Sequence, residues 1–178
     1  VGQPFETWAA EHRVRAATAK HLLRELASAL EALHATGHVN AALGPHSLWV
    51  RGLGKHVTPT LLCLGRCVPL APSEFPLDHA VPDPKPYLAP ELFDGERPTV
   101  RTDLYGIGAI VYRYLTGRAP VALDGEVSRE VAVSRIQVGD LDLGQVPRAH
   151  RRILARLLAT DPSERFASAT ELKRGIDE

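Results

Sequence analysis

Apolar residues recur at helical spacing in two long runs of this chain. In the first run, from Ala16 to Thr36, apolar side chains repeat every three or four positions and form one stripe. The residues of this stripe are Leu22, Leu23, Leu26, Ala29, Leu30 and Leu33. The second run begins near Thr102 and ends before Gly117, and its apolar residues occupy most sides of a helix. A helix of this kind packs in the middle of a domain, so the second run predicts a buried central helix.

Three residues inside the second run add to this prediction. Asp103 lies in the first turn, where a negative charge suits the positive end of the helix dipole. Gly106 and Gly108 lower the helix propensity, so we expect another element to pack closely against the helix at these positions.

Shorter patterns predict the remaining elements. They are a helix within Val1 to His12, strands at Leu48 to Val50 and Thr60 to Leu64 joined by Gly52 and Gly54, helices from Val127 to Gln137 and from Pro147 to Thr160, and a last helix after the capping box that starts at Ser168. From Arg66 to Pro86 the chain is rich in proline and shows no period, which predicts a loop of about twenty residues that is either functional or packed by its own side chains. The predicted fold class is mainly α (α+β), with a short β-hairpin, in a single domain spanning residues 1–178.

Charge and cysteine content exclude several classes of protein. Lys and Arg together number 21, as do Asp and Glu, so the net charge is zero and no global field attracts nucleic acid or an anionic membrane. Cys63 and Cys67 are too few for a disulfide framework or a structural zinc site, which favours a reduced, cytoplasmic setting. No apolar run is long enough to cross a bilayer, and the N-terminal residues do not form a signal peptide, so we expect no membrane insertion by this segment.

Histidines and arginines on the predicted helices offer little evidence of a site. His12, His21 and His34 share no face with carboxylates in a ligand pattern, so we interpret them as exposed or satisfied helical residues. Four arginines form a basic stripe on the helix from Pro147 to Thr160. They are Arg148, Arg151, Arg152 and Arg156. Such a stripe is typical of a solvated face, and the alternative is a specific anionic partner.

Several segments resemble the signatures of a known family in the right order. The segment HATGHVNAALGPHSLWV resembles the catalytic-loop passage of protein kinases, TLLCLGR the strand that ends in Asp-Phe-Gly, PYLAPE the end of the activation segment, and DPSERF a late Asp-Pro-x-x-Arg signature. The catalytic-loop match is made by His34, Gly37, Val39, Leu43, Pro45, Leu48 and Val50. The whole chain is therefore similar to the larger, helical C-terminal lobe of a bacterial serine/threonine protein kinase. No glycine-rich phosphate loop precedes Val1, so we expect the small N-terminal lobe to be absent.

The resemblance implies structural roles for four residues. Glu91 is expected to pair with Arg165, and Asp103 to hold the backbone of the catalytic loop, while Pro45 keeps its family position.

The same resemblance implies that the residues of phosphoryl transfer have been replaced. Kinases use an aspartate to orient the acceptor hydroxyl, a lysine on the phosphate, and Asp and Asn ligands for Mg²⁺. These positions hold Ala42, Gly44, Cys63 and Ser47, and the preceding His-Arg is Asn40-Ala41. We therefore predict a pseudokinase lobe that is not an enzyme, with no catalytic residues, no cofactor, and neither ATP nor Mg²⁺ bound.

The hypothesis that follows is a signalling scaffold, a protein-binding or regulatory module. Its partner would be another protein or another domain of the parent chain, and not a nucleic acid. Phe75 and Leu77, in the proline-rich loop, are the candidate contact residues, because a stiff loop presents apolar side chains at low entropic cost. The alternative is that this loop folds against the lobe and covers the central helix.

Two further hypotheses stay open. An enzyme of altered chemistry would use Cys63 as a reactive thiol beside Arg66, although a small thiol at the end of a strand is ordinarily buried and inert. A fragment of a two-lobed kinase-like protein would retain nucleotide binding.

Overall fold

The structure is a computed structural model of the chain, and it describes residues 2–12, 14–52, 54–62, 67–70, 85–123, 125, 127–139 and 141–178. Its helices are α1 (Phe5–Glu11), α2 (Ala16–Ala35), α3 (Val100–Thr116), α4 (Arg129–Val138), α5 (Arg148–Leu157) and α6 (Ala169–Asp177), and its strands are β1 (Gln3–Pro4), β2 (His38–Val39), β3 (Leu48–Arg51), β4 (Thr58–Leu61) and β5 (Val68–Pro69). The described part of the chain is mainly helical with short strands, which confirms the predicted fold class. None of its helices has both the length and the apolarity that crossing a membrane requires. The single-domain organisation and the cytoplasmic location stay predictions.

Helix α3 lies at the centre of the core, as the apolar pattern predicted. Most of its residues are buried, including Leu104, Ile107 and Ile110 with no exposed surface. It begins at Val100, two residues before the predicted start, because a capping box precedes the apolar stripe. In this box the Thr99 side chain accepts a backbone N–H, and the Thr102 hydroxyl accepts the N–H of Thr99 at 3.0 Å.

The two glycines of α3 allow close contact with two different neighbours. A Cβ atom at Gly106 would lie 2.6 Å from the Cβ of Leu43, and one at Gly108 would lie 2.8 Å from the Cβ of Leu157. Cβ atoms in proteins do not come this close to other atoms. Both contacts of α3 are therefore possible only because glycine has no Cβ atom. The predicted close packing is confirmed, against the segment after β2 on one side and against α5 on the other.

The strands form two small antiparallel sheets. The predicted hairpin is present as β3 and β4, but β4 begins at Thr58 and ends at Leu61, whereas the prediction was Thr60 to Leu64. Leu48 lies opposite Leu61 and Arg51 opposite Thr58, and β1 adds a third strand beside β3. In the second sheet, β5 pairs with β2. Strand β5 lies within Arg66 to Pro86, which was predicted to be a loop, so the prediction is wrong for the two residues of this strand. A two-residue strand has no hydrophobic period, so only its backbone pairing reveals it.

An ion pair links the turn before α3 to the chain after α5. Nη1 and Nη2 of Arg165 lie 2.8 Å from Oε1 and Oε2 of Glu91, and the two residues are 2% and 4% exposed. The Thr102 hydroxyl donates a further hydrogen bond to Glu91 Oε1 at 2.8 Å. The pair expected from the family resemblance is therefore present, and its geometry is bidentate.

The rest of the guanidinium of Arg165 is also satisfied. It donates to the carbonyls of Ala159, Thr160 and Arg101. It lies 4.9 Å from the centroid of the Tyr105 ring, and burial raises the pKa of Tyr105 to about 12, so that this phenol stays neutral beside the pair. Arg165 thus joins two separate segments of backbone and the carboxylate of Glu91 through one buried side chain.

Removing either partner of this pair should destabilise the fold strongly. For Glu91→Ala or Arg165→Ala we expect the free energy of unfolding to fall by about 3 to 5 kcal/mol, because the remaining charge is left buried and uncompensated. Urea denaturation followed by circular dichroism measures the change. The control is Arg24→Ala, which breaks the exposed pair of Arg24 with Asp177 and should cost no more than about 1 kcal/mol. Equal losses in the two kinds of variant would contradict the assignment.

Candidate functional site around Asp103

The carboxylate of Asp103 fixes the segment between β2 and the turn at Pro45–Ser47. Asp103 lies in the first turn of α3 and is 1% exposed. Its Oδ2 accepts the backbone N–H of Asn40 at 2.9 Å, and its Oδ1 accepts that of Ala41 at 2.8 Å. Because the carboxylate lies at the positive end of the helix dipole, the helix itself offsets part of the cost of burying the charge. The backbone contact expected of Asp103 from the family resemblance is therefore present.

His34 is the third partner of this carboxylate. Its Nε2 lies 2.9 Å from Oδ2 of Asp103, and its side chain is 10% exposed. From the sequence, the helical histidines are expected to be either exposed or satisfied. His34 is satisfied, by this hydrogen bond. The contact with Asp103 was not predicted, because the two residues are far apart in sequence. The one sequence feature that hints at it is the position of His34, three residues before Gly37, in the segment that resembles the catalytic loop.

The backbone at Ala41 is strained. Its φ is +65°, the only positive φ among the described residues other than glycine. For a residue with a Cβ atom this left-handed conformation costs about 1 to 2 kcal/mol. The hydrogen bond from its N–H to Asp103 holds it in place. Strain of this kind persists where the surrounding contacts determine the backbone, and here it fixes the direction of the chain just before Ala42.

The side chain of Asn40 is buried without a partner. Asn40 is 1% exposed, and neither its Oδ1 nor its Nδ2 makes a hydrogen bond within the described structure. An unsatisfied buried amide costs about 1 to 3 kcal/mol. The hydrogen bond that holds Asn40 is the one from its backbone N–H to Asp103.

Three of the positions expected to be degenerate, Ala42, Gly44 and Ser47, lie in one short described segment and offer no metal site. Gly44 and Pro45 are buried, and Pro45 begins the turn that ends at Ser47. The hydroxyl of Ser47 lies 3.5 Å from the carbonyl oxygen of Ala42, to which it donates. Mg²⁺ prefers carboxylate and amide oxygens, and neither a methyl group nor this single hydroxyl supplies them. The residues described here therefore do not fit a Mg²⁺ ion, and within the described ranges no group of three or more His, Cys, Asp or Glu side chains does.

Three residues of the predicted sites cannot be placed. Cys63, Phe75 and Leu77 lie outside the described residues. The thiol hypothesis for Cys63 and the contact hypothesis for Phe75 and Leu77 therefore stay predictions.

Because Ala41 is strained, an alanine-to-glycine substitution should change the free energy of unfolding in opposite directions at Ala41 and at Ala42. Ala41→Gly should raise the free energy of unfolding by up to about 1 kcal/mol, because relief of the left-handed strain exceeds the entropic cost of glycine. Ala42→Gly, at a position without positive φ, should lower it by about 0.4 to 1 kcal/mol. Urea denaturation of both variants measures the difference. Equal destabilisation at the two positions would show that Ala41 is not strained.

Comparison with known proteins gives several bacterial relatives. The sequence is 30% identical to the serine/threonine-protein kinase Pkn1 of Myxococcus xanthus over 98% of this chain and 26% of the relative. It is 32% identical to the serine/threonine-protein kinase pkn2 of the same organism over 85% of this chain and 19% of the relative, and 30% identical to the serine/threonine-protein kinase PknD of Mycobacterium tuberculosis over 88% and 24%. The chain therefore spans about a quarter or less of the length of these curated relatives. No protein-family model matches it.

The fold is similar to that of a solved kinase domain. The structure matches the Rad53 kinase domain, from a crystal structure of that domain and SCD2 in complex with AMPPNP, with a TM-score of 0.69. The match covers 96% of this chain and 62% of that chain at 19% identity, so it shows the fold alone. The predicted kinase-like, mainly helical lobe is confirmed.

The prediction that the protein is not an enzyme is wrong. The relatives are named serine/threonine-protein kinases, and the fold resembles that of a kinase domain. The names of the relatives point to a kinase rather than to a non-enzyme, while the structural match shows the fold alone. The prediction was based on replaced side chains in two segments and on the expected absence of the small lobe. The replaced positions are Asn40, Ala41, Ala42, Gly44, Ser47 and Cys63, of which Cys63 lies outside the described residues.

Proposed function

The chain is a homologue of the bacterial serine/threonine protein kinases. We propose that it is the helical lobe of a longer kinase-family protein, and that this lobe binds another protein, or another part of its own chain, and regulates it through that contact. The observation that supports this proposal is an exposed apolar face on α4. Val131 is 45% exposed and Val138 is 72% exposed. Seven residues apart on one helix, they point in nearly the same direction.

A shallow cavity continues this face. It has a volume of about 340 Å³ and is lined by Val121, Ala122, Ser134, Arg135 and Val138. Single exposed apolar residues are ordinary on protein surfaces, but two on one face beside an apolar cavity are typical of a docking site. The partner that fits is a protein segment that offers apolar side chains to the α4 face, defined by Val131 and Val138.

The α4 face is held rigidly. The Ser128 side chain accepts the N–H of Val131 at the start of the helix, and Gln137 donates to the Asp94 carboxylate at 2.6 Å. Arg135 donates to the carbonyl of Ala122 at 3.1 Å. Because these contacts order the helix before any partner arrives, binding costs less conformational entropy.

Two sources for the partner segment follow from the length of the relatives. One is another part of the longer protein, since this chain spans about a quarter or less of each relative, and the other is a separate protein. Both require the same exposed face.

The α4 face predicts a residue-specific contact. A photo-crosslinking amino acid placed at Val131 in the longer protein, expressed in its own cells, should give a discrete adduct that Val138→Glu abolishes, because a charge there opposes apolar docking. The matched control is the same probe at Val14, which is also 45% exposed but lies before α2. Adducts of equal yield and pattern from Val131 and Val14, or an adduct unaffected by Val138→Glu, would contradict the proposal.

Phosphoryl transfer by the longer protein is a second candidate, supported by the names of the relatives. A methyl group accepts no proton, so the base has to come from a residue other than Ala42. This candidate predicts that the longer protein transfers the γ-phosphate of ATP to a protein acceptor. Transfer that is undetectable in the natural protein but appears in its Ala42→Asp variant would contradict it.

A further inference from the structure

A cavity opens between α2, α5 and α6, on a different surface from the α4 face. Its volume is about 430 Å³, within the range of ligand-binding pockets. Its apolar lining is formed by Leu23, Ile153, Phe166 and Ile176. A cavity of this size with this lining suits the apolar part of a small molecule.

Two cations border this α5 cavity. Lys20 and Arg152 line it and are exposed, and neither has a hydrogen bond or ion pair with another described residue. One acid, Glu178, lies at the same border. The excess of positive charge beside an apolar lining favours a ligand that is anionic at one end.

Two other arginines of the basic stripe, Arg151 and Arg156, have intramolecular partners. Arg151 donates to the carbonyls of Val146 and Gly144 at 2.8 and 2.9 Å. Arg156, which also lines the cavity, pairs with Glu171, and its guanidinium lies 4.0 Å from the centroid of the Phe166 ring. Arg152 is therefore the member of the stripe that lines the cavity with its charge uncompensated among the described residues.

A buried polar group in the lining is also unsatisfied. His150 lines the cavity and is 6% exposed, and its Nδ1 has no hydrogen-bond partner within the described ranges. Burial lowers its pKa, a backbone hydrogen bond with Ala16 acts in the opposite direction, and the charge of Lys20 lowers the pKa further. No side chain caps the start of α5 two residues earlier, where the helix dipole is positive.

We propose that the α5 cavity binds a small amphipathic carboxylate, with the carboxylate between Lys20 and Arg152 and the apolar body against Leu23, Ile153, Phe166 and Ile176. Charge-assisted hydrogen bonds fix the anionic end, and burial of the apolar body supplies the remaining affinity. The site is independent of the α4 face, so either proposal stands if the other fails.

The test is an NMR titration of the nitrogen-labelled chain with phenylbutyrate. We expect a dissociation constant of about 1 mM or below, with the amide signals of Ala149 and Gly175, two cavity residues, among those that shift. Phenylbutanol should bind about tenfold more weakly and phenylbutylamine should not bind, because each keeps the apolar body without the negative charge.

The next variants change only exposed residues, so a loss of binding does not come from unfolding of the chain. Lys20→Gln and Arg152→Gln should each weaken phenylbutyrate binding about tenfold. The matched control is Arg148→Gln, which removes the same charge from the same helix at an exposed position outside the cavity and should change binding less than twofold. Absence of binding at millimolar concentration, equal binding of the alcohol, or an equal loss in Arg148→Gln would each overturn the proposal.

Discussion

A charge buried in a protein interior has to be compensated where it lies, and α3 begins between two such charges. Glu91, in the turn before the helix, meets the guanidinium of Arg165, and Asp103, in its first turn, meets two backbone N–H groups and His34. An unpaired carboxylate in either place would cost several kcal/mol. The two carboxylates therefore dictate which distant segments lie against the start of α3.

Asp103 also explains why a strained residue and an unsatisfied one persist side by side. The left-handed backbone of Ala41 and the unpaired amide of Asn40 are each unfavourable. Both belong to the short stretch whose N–H groups the carboxylate accepts, so the bonds to Asp103 compensate for the local costs. The segment keeps a fixed backbone even though its side chains carry no carboxylate.

The long elements were predictable from the sequence because their signal is periodic. The apolar stripes of α2 and α3 and the glycines at Gly106 and Gly108 are visible in the sequence without any structure. Strand β5 was not predictable, since it consists of two residues held by backbone pairing alone. The start of α3 was misplaced because its capping residues are polar and precede the stripe.

The candidate sites were less predictable than the fold. Family resemblance identified Asp103 and its backbone contacts, but the approach of His34 depends on the packing of α2 against α3. Likewise, the basic stripe on α5 looked uniform in sequence, and only the folded structure separates Arg152 from arginines with internal partners. The prediction that the protein is not an enzyme was wrong because it inferred the activity of a longer protein from replaced side chains and an expected missing lobe, in a chain that spans about a quarter or less of its relatives.

The glycine contacts of α3 have a steric consequence. Gly106 and Gly108 face opposite sides of the helix, one against Leu43 and the other against Leu157. Because neither glycine has a side chain, only the neighbouring residue fills each contact: Leu43 on one side and Leu157 on the other. Any side chain larger than hydrogen at either position would therefore have to displace Leu43 or Leu157, so the two glycines set how closely α3 approaches α5 and the Leu43 segment.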